Sequence, residues 1–172
     1  MYKVINIYGD NYSKITRYNR EASRAIIVKD GKIMLSHETR IEQWMIPGGG
    51  IEENETPIEC CIREVAEETG LIVRTEKCFL VMNEYYEDWK YISYFYECTV
   101  TGNIDRNPTA REIEVGAMPE WIDFDEAKDI FSHHQDYAET DEERRGIYLR
   151  EYNALLAFLD SKSSGEIDDL SN

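Results

Sequence analysis

The stretch that decides the fold runs from Gly49 to Leu71 and ends Arg63-Glu64-Val65-Ala66-Glu67-Glu68-Thr69-Gly70-Leu71. Thr56, Pro57 and Glu59 at its centre predict a helix start. They supply an N-cap hydroxyl, a proline at the first helical position and an acid at the third that closes a capping box. Gly70 supplies the left-handed residue that ends the helix. Within it, Glu64, Glu67 and Glu68 stand at i, i+3 and i+4, which sets all three side chains on one face. Clustered carboxylates repel one another and resist ionisation unless a positive charge lies among them. A hard divalent cation is the natural compensator, because Mg²⁺ takes oxygen ligands, keeps several waters and bridges carboxylates to phosphates. On another side of the helix Ile58, Ile62, Val65 and Thr69 form the stripe expected to face the core. Arg63 lies four residues from both Glu59 and Glu67 and can brace a carboxylate. Gly48, Gly49 and Gly50 precede the helix and permit a tight loop whose backbone approaches a metal and phosphates closely.

Written as a pattern, the stretch is G-x5-E-x7-R-E-U-x-E-E-x-G-U, with U aliphatic. It resembles the signature of the Nudix hydrolase family (MutT-like) at every fixed position. Trp44-Met45-Ile46-Pro47-Gly48-Gly49 upstream and Glu120-Trp121-Ile122 downstream are similar to the segments flanking the family's box, so residues 20 to 131 fit its layout. The resemblance implies an α/β fold, a Nudix-type α/β/α sandwich with a mixed β-sheet. It also implies metal-dependent hydrolysis of the pyrophosphate bond in a nucleoside diphosphate linked to another moiety, such as a nucleoside triphosphate. Glu64, Glu67 and Glu68 are then the expected metal ligands, with Arg63 beside them and a backbone carbonyl of Gly48 or Gly49, and the cofactor is Mg²⁺, with Mn²⁺ as a substitute. Family members often recruit a later acid as base or extra ligand; Glu114 is the first candidate here and Glu112 the second. The alternative is a non-catalytic Nudix-fold nucleotide sensor, but binding-only relatives are expected to lose box carboxylates and all of them stand intact.

Substrate contacts follow less directly. Where relatives often carry arginine after the early strand, this chain has Ser36-His37-Glu38-Thr39-Arg40. Arg24, His37 and Arg40 are the candidates to replace that phosphate contact. Tyr85, Tyr86 and Trp89 can stack a base, as aromatics do in nucleotide sites, and Tyr85 and Tyr86 lie near the place where dinucleoside polyphosphate hydrolases keep a tyrosine.

Charge narrows the partners. Nineteen basic residues against thirty-five acidic ones give a net charge of −16, with no basic stripe. A nucleic-acid polymer is repelled at long range, whereas a small phosphorylated nucleotide arrives with metal cations. The 172 residues are large enough for one domain with a real core. No apolar run reaches the ~20 residues of a membrane span, and Met1-Tyr2-Lys3-Val4-Ile5-Asn6 lacks the plan of a signal peptide. Cys60, Cys61, Cys78 and Cys98 have no metal-binding spacing and read as small packing residues. A cytoplasmic location is expected.

The rest of the chain is placed coarsely. Asp30-Gly31 predicts a hairpin between residues 22–29 and 32–36, and Glu87-Asp88-Trp89 joins a second antiparallel pair over residues 77–86 and 90–100. A strand near residues 114–122 carries Pro119, which suggests an edge position. A short helix starts at Asp123, and a capping box from Thr140 opens a long helix with Tyr148, Tyr152, Leu155, Leu156 and Leu159 on its buried side. Residues 1–19 resemble a short strand pair of their own, where a homodimer contact would be possible. Residues 1–160 are expected to form the single domain, with the box at 49–71 and an acidic flexible tail over 161–172.

Overall fold

Alternating apolar residues and tight turns give the described residues eight strands: β1 (Lys3–Tyr8), β2 (Tyr18–Lys29), β3 (Lys32–Glu38), β4 (Gln43–Met45), β5 (Gly48–Gly50), β6 (Leu71–Tyr86), β7 (Trp89–Asn103) and β8 (Ala117–Asp123). Four α-helices accompany them: α1 (Pro57–Thr69), α2 (Ala110–Val115), α3 (Phe124–Ser132) and α4 (Glu142–Asp168). The structure, a computed structural model, describes residues 2–168.

Two tight turns set the sheet. Asp30 and Gly31 take φ of 52° and 76°, and β2 folds back on β3 with Lys29 opposite Lys32. Positive φ at both central residues matches the right-handed twist of the strands they join. Glu87, with φ 52°, does the same between β6 and β7. The strand order is β1-β6-β7-β2-β3-β4, with β5 paired to β2 and β8 to β3. β1 runs parallel to β6 and β2 parallel to β7, and the other pairs are antiparallel. Pro119 lies on β8, which pairs only with β3, so its missing N–H costs no ladder bond on the open side.

The sheet is buried on both faces, and β2 shows how. Ile26 points into one cluster with Leu80, Phe95, Phe131 and Leu155 beneath α3 and α4. Its neighbours Ala25 and Ile27 point the other way, to Cys61 and Val65 of α1 and to Tyr96 and Cys98. Successive side chains on a strand face opposite sides, so one near-continuous apolar run serves two layers. The expected α/β/α sandwich with a mixed sheet is what forms. No helix among the described residues is long and apolar enough to cross a membrane.

Several local expectations are corrected. β1 does not pair within residues 1–19; it adds to the edge of the main sheet beside β6. The segment taken as one strand over residues 114–122 is the helix α2 followed by β8, because Thr109 and Glu112 form a second capping box and Gly116, with φ 68°, ends the turn. The helix α4 is capped by Asp141, whose Oδ1 accepts from the Arg144 N–H at 3.0 Å, one residue later than the Thr140 expected. On α4, Tyr148 and Leu155 are buried, but Leu156 and Leu159 are exposed. On α1 the buried stripe is Cys61, Val65 and Thr69 with Cys60, while Ile58 and Ile62 are exposed. The helix α4 continues through Asp168 where composition suggested a tail, and residues 169–172 lie outside the described residues.

Candidate active site

The helix α1 starts as its sequence dictates. The Thr56 hydroxyl accepts from the Glu59 N–H, Glu59 returns the bond to the Thr56 N–H at 2.8 Å, and Gly70 closes the helix with φ 72°. Glu59 is thereby committed to the cap, which leaves Arg63 to other acids. Its guanidinium grips Glu55 through two bonds of 2.7 and 2.9 Å, Glu64 at 2.8 Å and Glu67 at 3.2 Å, and also donates to the Gly50 carbonyl at 3.2 Å. One planar fork thus ties the loop before the helix to two of the three acids of its box face. A guanidinium suits this task because its donors are fixed in one plane and stay charged.

Arg63 holds the Glu55 carboxyl at a pKa of about 2, below its ordinary 4.5. A depressed carboxyl adds stability that is complete above about pH 4.5 and is lost as pH falls through about 2. In metal-free protein, Glu55→Gln is therefore expected to melt below wild type at pH 6, with the two curves converging near pH 2. Parallel curves over that range would show that Glu55 contributes no proton-linked stability.

The acids pack against the glycine loop. The Gly48 N–H donates to Glu68 Oε2 at 3.2 Å, and a Cβ at Gly49 would overlap the Glu64 carboxyl. Gly48 adopts φ 149°, and a side chain there would collide with Ser23 and Arg24 of β2. Burial pushes the Glu68 carboxyl up to about 8, with the charges of Glu64 and Glu112 adding to the effect and Arg24 opposing it. Burial also raises Glu64, against the pull of Arg63. An acid cluster so placed is short of positive charge.

Beside this cluster opens a cavity of about 520 Å³ between the sheet and α4, reaching from Gly48, Gly49 and Gly50 to Trp89. The register explains its floor. Tyr86 and Glu84 of β6 lie beside Trp89 and Tyr91 of β7, while Arg20 and Ala22 of β2 lie beside Tyr91 and Ser93. Ala22 and Arg24 in turn face Gly50 and Gly48. The roof is α4, where Gly146 leaves room for the Tyr86 ring; a Cβ there would lie 3.1 Å from its hydroxyl. Buried charges close the inner wall. Arg150 donates to Glu151 at 2.6 Å, Arg24 lies 3.9 Å from the same carboxylate oxygen, and Arg150 is 4.0 Å from Glu84.

A family model described as the NUDIX domain matches residues 19–143. The chain belongs to the Nudix family. It is 29% identical over 107 residues to diphosphoinositol polyphosphate phosphohydrolase NUDT4B of Homo sapiens, covering 62% of this chain and 58% of that protein. It is 34% identical over 55 residues to RNA pyrophosphohydrolase of Xylella fastidiosa (strain 9a5c), covering 32% of this chain and 29% of that one. The chain thus spans less than three fifths of the length of these relatives. A NUDIX hydrolase from Nitrosomonas europaea superposes with a TM-score of 0.56 at 22% identity, over 79% of this chain and 89% of that one. MutT protein from Bacillus halodurans superposes with a TM-score of 0.53, also at 22% identity, over 64% and 72%. Both speak for the fold.

The Nudix box therefore sits on α1 with Arg63, Glu64, Glu67 and Glu68 together and Gly48 and Gly49 against them. Of the later acids, Glu112 is the one near the box, since its charge is felt at Glu64 and Glu68. Glu114 is exposed on α2, and its carbonyl accepts from Arg40 at 2.5 Å. Of the expected substrate contacts, Arg24 lines the cavity; His37, Arg40 and Tyr85 do not. His37 stacks on Trp44 with centroids 3.8 Å apart and bonds Glu120 at 2.8 Å. Tyr85 stacks on Tyr8 at 4.7 Å, because adjacent strand residues face opposite sides and Tyr86 takes the inner one. Sequence reasoning missed Arg20, Tyr91, Glu84 and Arg150. The first three stand at alternate positions with residues it did weigh, namely Arg24, Trp89 and Tyr86. Arg150 comes from the far helix and carried no local signal.

Proposed function

We propose that this Nudix chain hydrolyses the pyrophosphate bond of a nucleoside diphosphate linked to another moiety, such as a nucleoside triphosphate, using a divalent cation. One observation carries the reading: the complete set of box acids, short of positive charge, lies beside a cavity that holds both arginines and stacked aromatic rings. The names of the relatives, a phosphohydrolase and a pyrophosphohydrolase, support the same class of bond.

The donors fit a hard cation. Glu64, Glu67 and Glu68 offer only oxygen, which suits Mg²⁺ with Mn²⁺ as an alternative, and a carbonyl of Gly48 or Gly49 can add to them. Among the described residues no three acids form a ready-made cage; two are turned to Arg63 and the third to the Gly48 N–H. A bound cation would neutralise phosphate charge and lower the pKa of an attacking water. The chain's own groups do the rest. Arg63 fixes the direction of Glu64 and Glu67, and Arg20 and Arg24 lie between the box and the aromatic floor, where they can pair with phosphate oxygens. We assign the proton of a water at the box to Glu112, one of whose carboxylate oxygens also holds the Thr109 cap. Intact box acids favour turnover over binding alone.

The partner is a small phosphorylated nucleotide, since the −16 charge disfavours a long polyanion. All four cysteines are free, which supports a reducing cytoplasm. With a panel of nucleotides and Mg²⁺, phosphate released after adding a phosphatase or pyrophosphatase should appear for at least one substrate and vanish with EDTA. Full turnover in buffer verified free of metal would overturn the metal-dependent reading, and silence across the panel would overturn the nucleotide.

A further inference from the structure

The cavity's floor is more specific than hydrolysis requires. Tyr18, Trp89 and Tyr91 form a ladder of rings, with centroids 4.9 Å apart for the first pair and 5.8 Å for the second, and the Trp89 and Tyr91 planes lie within 18° of parallel. The next position along that face of β7 is Ser93, and its neighbour on β2 is Ala22, opposite Gly50. Three small residues in a row leave a gap where the ladder would continue. A planar ring fills such a gap by stacking on the free face of Tyr91.

The sides of that gap differ. Toward β5 lie Arg20 and Arg24, which lead to the glycine loop and the box. Away from it stands Glu84, level with Tyr91 and 4.0 Å from Arg150. Glu84 is only 4% exposed, and Arg150 Nε and the Tyr86 hydroxyl are buried with no hydrogen-bond partner. Buried donors left without partners are costly, and here they flank a cavity that can supply an acceptor. A ring edge seated here meets a carboxylate with two acceptor oxygens beside an arginine with spare donors. Adenine and cytosine offer an amino donor next to a ring-nitrogen acceptor, and uracil offers one N–H between two carbonyls. Guanine alone offers two adjacent donors next to a carbonyl. Arginine reads the guanine carbonyl in nucleic-acid recognition, and carboxylates accept from base amino groups. A densely phosphorylated cyclic polyol fits poorly, for its saturated, puckered ring offers no planar aromatic face to stack and its phosphates would meet Glu84, Glu87, Glu142 and Glu143 along the walls.

We propose that the cavity is a guanine-nucleotide site, with the base stacked on Tyr91 over Ser93 and Ala22, its two adjacent N–H groups on Glu84 and its carbonyl on Arg150. This assignment rests on the nucleotide hydrolase reading and names its substrate. The phosphates then run past Arg20 and Arg24 to the box.

Calorimetry on the full chain without metal tests it with GMP, IMP, AMP, CMP and inositol hexakisphosphate, none of which has a bond for the enzyme to cleave. GMP should bind at least ~10-fold more tightly than AMP or CMP. IMP, which keeps the carbonyl and one N–H but lacks the amino group, should fall between. Glu84→Gln should erase the preference for GMP over AMP, and Tyr91→Ala should weaken every nucleotide alike. Equal affinities across the nucleotides, or tighter binding of the inositol phosphate, would overturn the assignment. The wild-type series decides the matter even where Glu84→Gln fails to fold. Preference for GMP without turnover of any guanine nucleotide in Mg²⁺ would overturn the hydrolase reading alone, and turnover without base preference would overturn this one alone.

Discussion

Glu67→Gln is expected to lower kcat by about 10³-fold while leaving the fold intact. A cation that stabilises charge on transferring phosphoryl oxygens contributes several kcal/mol to the transition state, and each 1.36 kcal/mol is tenfold in rate. Losing one of its acids forfeits much of that. The cost to stability is small by comparison. The Glu67 side chain is 35% exposed and its partner Arg63, at 3.2 Å, keeps its bonds to Glu55 and Glu64. Exposed helix pairs of this spacing contribute about 0.3–0.5 kcal/mol, partly offset by relief of repulsion from Glu64 and Glu68. Steady-state kinetics and metal-free thermal unfolding on the same preparations separate the two effects. A large fall in melting temperature with normal activity per folded molecule would make Glu67 a structural acid.

The second large effect concerns the base. Glu112→Gln is expected to reduce kcat by about 10²-fold or more with little change in KM, as when a group acting only in the transition state is lost. Glu114→Gln should remain near wild type. Sequence alone ranked these acids the other way, because in an extended segment Glu114 stands nearer than Glu112 to the Pro119-Glu120-Trp121 strand end. The helix α2 changes the geometry: two residues apart on a helix point to different sides, so Glu112 is half-buried while Glu114 faces solvent. Glutamine is the informative replacement, since it can keep the capping bond to the Thr109 N–H, now 2.5 Å from the Glu112 carboxylate. A crippled Glu114→Gln beside a mild Glu112→Gln would reverse the assignment. Near-normal rates in both would move the base into the box, with Glu64 first in line.

The box was legible because every part of it is local. Thr56, Pro57, Glu59 and Gly70 set the ends of α1 by bonds within a few residues, and helical geometry then fixes the arc of the acids. The two hairpins were legible for the same reason, through Asp30-Gly31 and Glu87-Asp88. The helix α2 is marked equally well by Thr109, Glu112 and Gly116, although the strand that follows it hides the boundary at Gly116. The choice between Tyr85 and Tyr86 depends on register against Trp89 and Tyr91, which a single strand does not reveal. Ile58 and Ile62 were placed inward by helical period, yet the sheet meets α1 along Cys61 and Val65 instead. Which arc of a helix is covered is decided by its neighbours in space.

The buried charges along the inner cavity wall also bear on the order in which the protein becomes competent during synthesis. Arg24 belongs to β2, Glu84 to β6, and Arg150 and Glu151 to α4, which follows both in the chain. Box acids, glycine loop and most of the sheet leave the ribosome well before their charge partners on α4 are made. Until then Arg24 and Glu84 have to stay in water, because an ion enclosed without its partner is strongly destabilising. The growing chain can therefore complete its helix of acids early, yet the cavity closes only when α4 docks. Vectorial translation thus delays closure of the cavity until α4 has been made.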